Sequence, residues 1–528
     1  MPTRASGQQI AKLLWSKGRQ RKSGGCAGKD CVLTWGDLAL CLKGRRRQPE
    51  REVSRGRSSL FLTKGRTRES VIGHVDANDR KSDACQTRGG CEDASGETVR
   101  SPISDEVNRP QDESDNAGQG LLDRAFAREN LKRAWKRVKA NKGAAGVDGL
   151  DIEQTAEHLL SQWAAIREQL LSGVYRPSPV RRVVIPKPDG GERELGIPTV
   201  TDRLIQQALL QVLQPLLDPT FSEYSYGFRP GRRAQDAVLA AQRYVSSGRK
   251  VVVDVDLEKF FDRVDHDILM DRLRKRIADR TVIRLIRAYL DAGTLINGVV
   301  ERGRSGAPQG GPLSPLLANV LLDEVDRELE RRGHCFVRYA DDANVYVRSH
   351  KAGQRVMALL KRVYEKLRLS VNENKSAVAS AFGRKFLGYE LWSARGEVKR
   401  AASYKAQKQF KHRIRWYTRR SCGRSLQQII DELRPYLLGW KAYFGLSQTP
   451  AVWRELDEWI RHRLRTIQLK QWKRGTTTYR ELRALGANNQ VAQKVAGNTC
   501  RWWHNSRLEL NRVLTIAWFD RLGLVRLS

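Results

Sequence analysis

Long apolar runs are missing from this chain. Nowhere do about 20 hydrophobic residues follow one another, the length a helix needs to cross a bilayer, and no signal-peptide core follows Met1. A soluble, cytoplasmic protein with no membrane partner is the expectation. Methionine is scarce, and Met270 is the first after Met1, so an internal start ahead of any ordered core would need a non-AUG codon. Cysteine lacks useful spacing: Cys26, Cys31, Cys41, Cys85 and Cys91 lie near the N-terminus, while Cys335, Cys422 and Cys500 are scattered singly. With neither a C-x-x-C pair nor a Cys/His cluster, the pattern carries no zinc site and no disulfide framework.

Acidic residues are too few to balance the basic ones. Against 96 Lys and Arg stand 59 Asp and Glu, a formal charge of +37. Phosphates neutralise such a surplus most simply, which makes nucleic acid the expected partner. Composition alone leaves a ribosome-associated protein or a merely soluble basic surface open.

A chain of 528 residues exceeds what one core holds, so several modules are expected. Residues 1–118 are polar and lack sustained periodicity, basic around Arg45-Arg46-Arg47 and acidic from Asp105 to Asp115. They cannot bury enough apolar surface to offset chain entropy and are expected to be disordered, either as an RNA-touching arm or as a solvated extension. Helical spacing starts with Leu122, Phe126, Leu131, Ala134, Trp135 and Val138, and Asn141-Lys142-Gly143 ends it. Leu159, Trp163, Ile166 and Leu170 mark a second amphipathic helix. Val183-Val184-Ile185 and Asp189-Gly190-Gly191 then signal a hairpin with Lys187 and Arg193 on its arms, followed by a helix from Asp202 to Leu217. From Lys250 the order strand, helix, strand, strand suits an α+β domain with an antiparallel sheet. The chain from Trp392 onward reads as helical and holds nine of the thirteen Trp. Residues 393–528 carry 28 Lys and Arg against 9 Asp and Glu, about half of the whole surplus, so phosphate binding is concentrated there.

Two segments place carboxylates at strand ends. Val251-Val252-Val253-Asp254-Val255-Asp256 reads as a buried strand, with Asp254 and Asp256 on one face and Asp256 nearer the end. Phe336 to Val347 reads as a hairpin with Asp341 and Asp342 at its turn. Adjacent like charges are unfavourable unless a cation sits beside them, although a lone Asp-Asp turn is usually just solvated. Mg2+ takes carboxylate oxygens, and two such ions about 4 Å apart support an in-line phosphoryl transfer.

The whole set resembles the reverse transcriptases. Tyr339-Ala340-Asp341-Asp342 is similar to their Y-x-D-D hairpin, and Asp256 with Phe261 to their first palm motif. The resemblance implies that Asp256, Asp341 and Asp342 bind two Mg2+ ions, with Mn2+ as a substitute, and that the Leu257 carbonyl is a further ligand. Asp254 is then a structural neighbour. Phe261 would exclude a nucleotide 2′-hydroxyl, with core packing as its plain alternative. Ala307 to Pro315 resembles the P-Q-G block, which puts Gln309 beside the incoming deoxynucleoside triphosphate. Lys187 and Arg193 match fingers residues that hold the triphosphate. Lys375 matches the lysine proposed to protonate pyrophosphate, and Phe386, Leu387 and Gly388 match the strand that grips the primer.

Within that family the chain is most similar to bacterial group II intron proteins. Lys139 to Gly149 and Ser225 to Arg232 resemble their N-terminal blocks; Tyr436 to Gly445 and the basic helix Trp459 to Lys470 resemble their maturase thumb. The implied fold is a right-hand polymerase: fingers with an RNA-binding block over 119–250, palm over 251–392, α-helical thumb over 393–480 and a small DNA-binding domain over 481–528. Arg461, Arg463, Arg465 and Lys470 are the expected RNA contacts. Implied partners are group II intron RNA, an RNA template with a DNA primer, and target DNA, while a homodimer stays open. The His/Asn endonuclease of many relatives has no counterpart, and His504 reads as structural, so no DNA-cleaving centre is expected. A domesticated or defence-associated polymerase, or a non-catalytic RNA chaperone, are the competing readings.

Overall fold

The computed structural model describes residues 120–186, 192–296, 298–301, 303–421, 423–507 and 509–528. The expectations for residues 1–118 and for Lys187 lie outside them.

Eleven strands form three sheets among the described residues. In the first, β1 (Val180–Pro186) pairs antiparallel with β2 (Glu192–Ile197) as the expected hairpin; β4 (Thr294–Ile296) runs parallel to β1 and pairs with β5 (Val299–Glu301). Helices Leu121–Ala125, Arg128–Asn141, Ile152–Ser172 and Val200–Leu217 complete the fingers. The sequence read as one initial helix is two, because Phe126 leaves the helical path. Lys142 ends the second in the left-handed region at φ 47°. Asp151 starts the third with a capping box, accepting from the Glu153 and Gln154 amides while Gln154 accepts from its own.

The second sheet has the order β6-β7-β3-β8, with β3 at Val251–Val255, β6 at Cys335–Tyr339, β7 at Asp342–Val347 and β8 at Ala377–Ser380. All its pairings are antiparallel. Alternation along β3 divides its side chains between two layers. Val251 and Val253 face the core shared with helices Ser314–Arg331 and His350–Lys366, whereas Val252 joins Val337 and Tyr346 beneath helix Ala234–Ser246. That helix therefore packs on the palm sheet, although its sequence lies before the expected palm boundary.

β9 (Lys385–Phe386), β10 (Tyr389–Ala394) and β11 (Glu397–Ala402) form a small third sheet leading into helices Tyr404–Tyr417, Leu426–Phe444 and Pro450–Trp472. Residues 481–528 build no separate core. Leu510, Leu514, Phe519 and Leu527 are buried in one cluster with Leu437, Leu464 and Ile467 of the thumb. The buried Asp457 carboxylate fastens this segment, accepting from the Leu527 amide at 2.9 Å and the Ser528 amide at 3.0 Å.

Candidate active site

Register brings the three aspartates together. Val255 stands opposite Ala343 and Asp254 opposite Asn344, so Asp256, one step beyond β3, arrives beside Asp342 at the start of β7. Tyr339 pairs with Asp342, leaving Ala340 and Asp341 as the turn, and Ala340 takes φ 59°. Exclusion of water raises the Asp341 carboxyl above the usual carboxylate range, and Asp256 adds to it. Asp342 opens to solvent on one side, yet desolvation, with Asp341, Asp256 and Asp254 nearby, pushes it up to about 7. Asp254 is raised by burial, but its ion pair with Arg384 at 2.7 Å opposes the shift. It acts as a braced neighbour, while the charges of the other three act on one another.

Among the described residues no three acidic, His or Cys side chains converge on a single ion position. Lys375 Nζ lies 3.5 Å from Asp256 Oδ2, partly neutralising it. The donor set nevertheless suits a divalent ion: oxygen ligands only, with mutual repulsion that a bound cation would relieve. Leu257 adds to the fit. It forms an isolated antiparallel bridge with Val371, flanked by hydrogen bonds from the Glu258 amide to Ser370 O and from the Asn372 amide to Asp256 O. In that pattern the Leu257 carbonyl points away from Val371.

Of the remaining expected residues that the structure describes, Arg193 is related to this cluster by charge, and the others are placed by their own contacts. Arg193, paired with Ile185 across the fingers hairpin, lies close enough for its charge to act on Asp341. Phe261 is half-buried on the short 3-10 helix Phe260–Arg263, its ring edge-to-face with the buried Phe260, and its carbonyl accepts from the Ala307 amide at 2.7 Å. That bond ties the P-Q-G block to the aspartate strand. Gln309 accepts from the Gly196 amide at 3.0 Å, and Gly310 has φ 139°, where a Cβ would meet Gly196 O at 2.6 Å. Leu387 and Gly388 take φ 49° and 82°; Leu387 O accepts from the Tyr443 hydroxyl at 2.9 Å, and Gly388 O from the Ser403 amide.

Sequence reasoning missed the support beneath the hairpin. Arg338 is 1% exposed and lies under the turn. Its guanidinium binds Asp326 at 2.6 Å, Asn319 Oδ1 at 2.9 Å and Ala340 O at 3.0 Å. Asn319 also donates to Gly227 O at 2.9 Å. A Cβ on Gly227 would sit 2.1 Å from Ala340 N, so the hairpin turn rests directly on that glycine's backbone. One sequence signal was available: an arginine within Phe336-Val337-Arg338-Tyr339 needs a buried carboxylate.

Residues 185–391 match the family model described as reverse transcriptase (RNA-dependent DNA polymerase), and residues 407–486 match the group II intron maturase-specific domain. The chain carries a reverse transcriptase-type domain followed by a maturase-specific domain. Group II intron-encoded protein LtrA of Lactococcus lactis subsp. cremoris is 31% identical over 341 residues, covering 52% of this chain and 56% of that protein. Protein YkfC of Escherichia coli (strain K12) is 37% identical over 220 residues, 40% of this chain and 58% of that protein. The chain thus spans a little over half the length of these curated relatives. Among solved structures, a chain of a partial Cas6-RT-Cas1–Cas2 complex aligns at a TM-score of 0.32 with 28% identity, covering 47% of this chain and 42% of that one.

In the maturase domain the four expected RNA contacts divide between two faces of helix Pro450–Trp472. Arg465 is a correction: it is buried, its Nε donates to Leu514 O at 3.0 Å, and its guanidinium lies over Phe519. It holds the C-terminal segment and does not present its charge outside. Arg461, one turn earlier, lies near Asp520 of the same segment. Arg463 and Lys470 instead face an open cleft with Arg415 and Arg420, which the sequence reading did not single out.

Proposed function

We propose that this reverse transcriptase–maturase copies intron RNA into DNA by phosphoryl transfer and binds group II intron RNA to promote its splicing and insertion. The observation that carries the catalytic half is the approach of Asp256, at the end of β3, to Asp341 and Asp342 on a hairpin clamped from below by Arg338, with Arg193 near enough for its charge to act on Asp341. Asp256, Asp341, Asp342 and the Leu257 carbonyl would hold Mg2+. When bound, such ions lower the barrier to hydroxyl attack and to departure of pyrophosphate. Arg193, with Lys187, binds the triphosphate as cations on a hairpin suited to anions. Gln309, fixed through Gly196, faces the nascent base pair, and Phe261 closes the sugar side of the pocket. Lys375, already held beside Asp256, is positioned to give a proton to pyrophosphate. Leu387 and Gly388, gripped by Tyr443, steady the primer end. Target DNA at exposed single strands and a cytoplasmic location complete this reading.

Primer extension on an RNA template with deoxynucleoside triphosphates and Mg2+ tests it. Wild type extends, chelation stops extension, and Asp341→Ala/Asp342→Ala loses at least about 1,000-fold in rate, roughly 4 kcal/mol of barrier. Extension undiminished in that variant would sink the assignment. A spliced product from the flanking intron in the presence of the aspartate variant is the expected outcome for the maturase half, since binding needs no chemistry.

A further inference from the structure

His266, the first residue of helix His266–Arg274, is 1% exposed and takes no part in the chemistry described above. A buried imidazole loses the hydration of two ring nitrogens, so its contacts must offset that cost. Its Nε2 lies 2.7 Å from Gly306 O; a carbonyl only accepts, so Nε2 bears the hydrogen and donates. Its Nδ1, without a hydrogen bond among the described residues, faces Asp291 Oδ1 at 3.4 Å. Arg287 holds Asp291 from the other side, its Nε donating to the carboxylate at 2.9 Å.

These contacts meet where the chain leaves the palm for the fingers and comes back. Asp291 ends helix Arg280–Asp291, and the chain then enters the fingers sheet as β4 and β5, with Gly293 O accepting from the Val180 amide at 3.0 Å. On its return Arg304 O accepts from the His266 amide at 3.2 Å. His266 therefore touches both ends of the β4–β5 excursion: the departure through Asp291, the return through Arg304 and Gly306. The returning chain lies along the residues that precede His266. Ser305 forms an antiparallel bridge with Asp265, and the Gly306 amide donates to Val264 O at 2.8 Å, one step before the Ala307 bond to Phe261.

Gly306 is the weak point of this path. Its φ of 107° is open to glycine and strained for other residues, and the missing Cβ leaves its peptide the freedom to rotate. The imidazole removes that freedom by holding the Gly306 carbonyl. We propose that His266 is a positioning residue for nucleotide selection: by pinning the Gly306 peptide between the fingers excursion and the palm, it sets where Gln309 and Phe261 stand around the incoming nucleotide. This rests on the pocket roles given above to those two residues. His266 does not touch substrate, so its effect falls on KM and on the choice of sugar more than on the maximal rate.

The test is single-nucleotide addition to a DNA primer on an RNA template, titrated with a deoxynucleoside triphosphate and with its ribonucleoside counterpart. Glutamine carries its amide nitrogen as many bonds from Cβ as Nε2, and asparagine as many as Nδ1. His266→Gln thus keeps a donor for Gly306 O, and His266→Asn removes it. His266→Asn should raise the KM for the deoxynucleotide about tenfold, change kcat less than about threefold, and lower the preference for deoxynucleotide over ribonucleotide by about as much as KM rises. His266→Gln should bring both back to within about threefold of wild type. Asp291 is exposed, so Asp291→Asn reads the same clamp with no core residue disturbed and should raise KM about threefold. Wild-type KM and sugar choice in both His266→Asn and Asp291→Asn would overturn the proposal. So would an equal loss of kcat in His266→Asn and His266→Gln, the sign of general damage to the fold. If His266→Asn fails to fold, Asp291→Asn decides. Gln309→Ala and Phe261→Val serve as references: wild-type KM and sugar choice in both would overturn the pocket reading and the proposal with it, whereas changes there with none in the His266 variants would overturn the role of His266 alone.

Discussion

Arg338 shows how a single buried charge can set catalytic geometry without touching substrate. Its guanidinium neutralises Asp326 and also holds Ala340 O, in the turn that carries Asp341. Arg338→Met leaves Asp326 charged and unpaired in the core and should cost about 3–5 kcal/mol, read by urea denaturation. Arg338→Met/Asp326→Leu should recover most of that stability, because an apolar pair can replace a buried ion pair at little cost. Extension rate should remain depressed in the double variant, since Ala340 O still lacks its donor; a wild-type rate there would deny Arg338 any positioning role. Gly227→Ala makes the complementary case, driving a Cβ into the Ala340 backbone and slowing extension more than it destabilises the fold. At this scale strand patterning marked Asp254, Asp256, Asp341 and Asp342 as strand-end carboxylates, but their grouping into one site came from the resemblance to reverse transcriptases. The Arg338 network was not, because its partners Asp326 and Asn319 lie on a helix, and only the tertiary fold turns that face under the hairpin.

Elements with periodicity or turn chemistry of their own were legible, and those defined by a neighbour were not. The helix Ile152–Ser172 shows in the spacing of Leu159, Trp163, Ile166 and Leu170, and the fingers hairpin in its glycine turn, whereas the cap at Asp151 was passed over. The stretch Trp459 to Lys470 reads as basic all round, but the C-terminal segment covers Arg465 and leaves Arg463 and Lys470 to the cleft. The primer-grip loop is an element-level joint, since two consecutive left-handed residues turn β9 back into β10 while Tyr443 and Ser403 of the thumb side hold their carbonyls. At Gly388 an added Cβ would meet Phe444 at 3.3 Å with φ at 82°. Gly388→Ala should cost about 1 kcal/mol in stability through the disfavoured backbone. It should also shorten extension products more than it slows the first nucleotide addition, because the primer end and thumb no longer move together. Gel analysis of product lengths decides this; an unchanged distribution would remove the loop from primer handling.

Across the whole chain, burial and charge divide along the same line. One hydrophobic cluster runs from Leu121 through the palm to Leu369, and another gathers the thumb helices with the C-terminal segment through Leu527. The basic surplus of residues 393–528 falls on the second, as the sequence already showed. The merging of the last residues into that core was hidden, because helices as short as Trp502–Arg507 and Leu510–Val513 display too little periodicity to reveal a buried face. Two cores joined through the Gly388 loop and through helix Ala234–Ser246, whose Gln235 and Gln242 side chains donate to Tyr443 O and Val398 O, should unfold in two calorimetric steps. RNA that binds only the folded thumb, at about 100 times its Kd, would add roughly 2.7 kcal/mol to that step alone. A template–primer duplex with a deoxynucleoside triphosphate should instead raise the step that contains the aspartates. A single transition, or RNA raising both steps equally, would mean that thumb and palm are coupled too tightly for binding and synthesis to be separated by substitution.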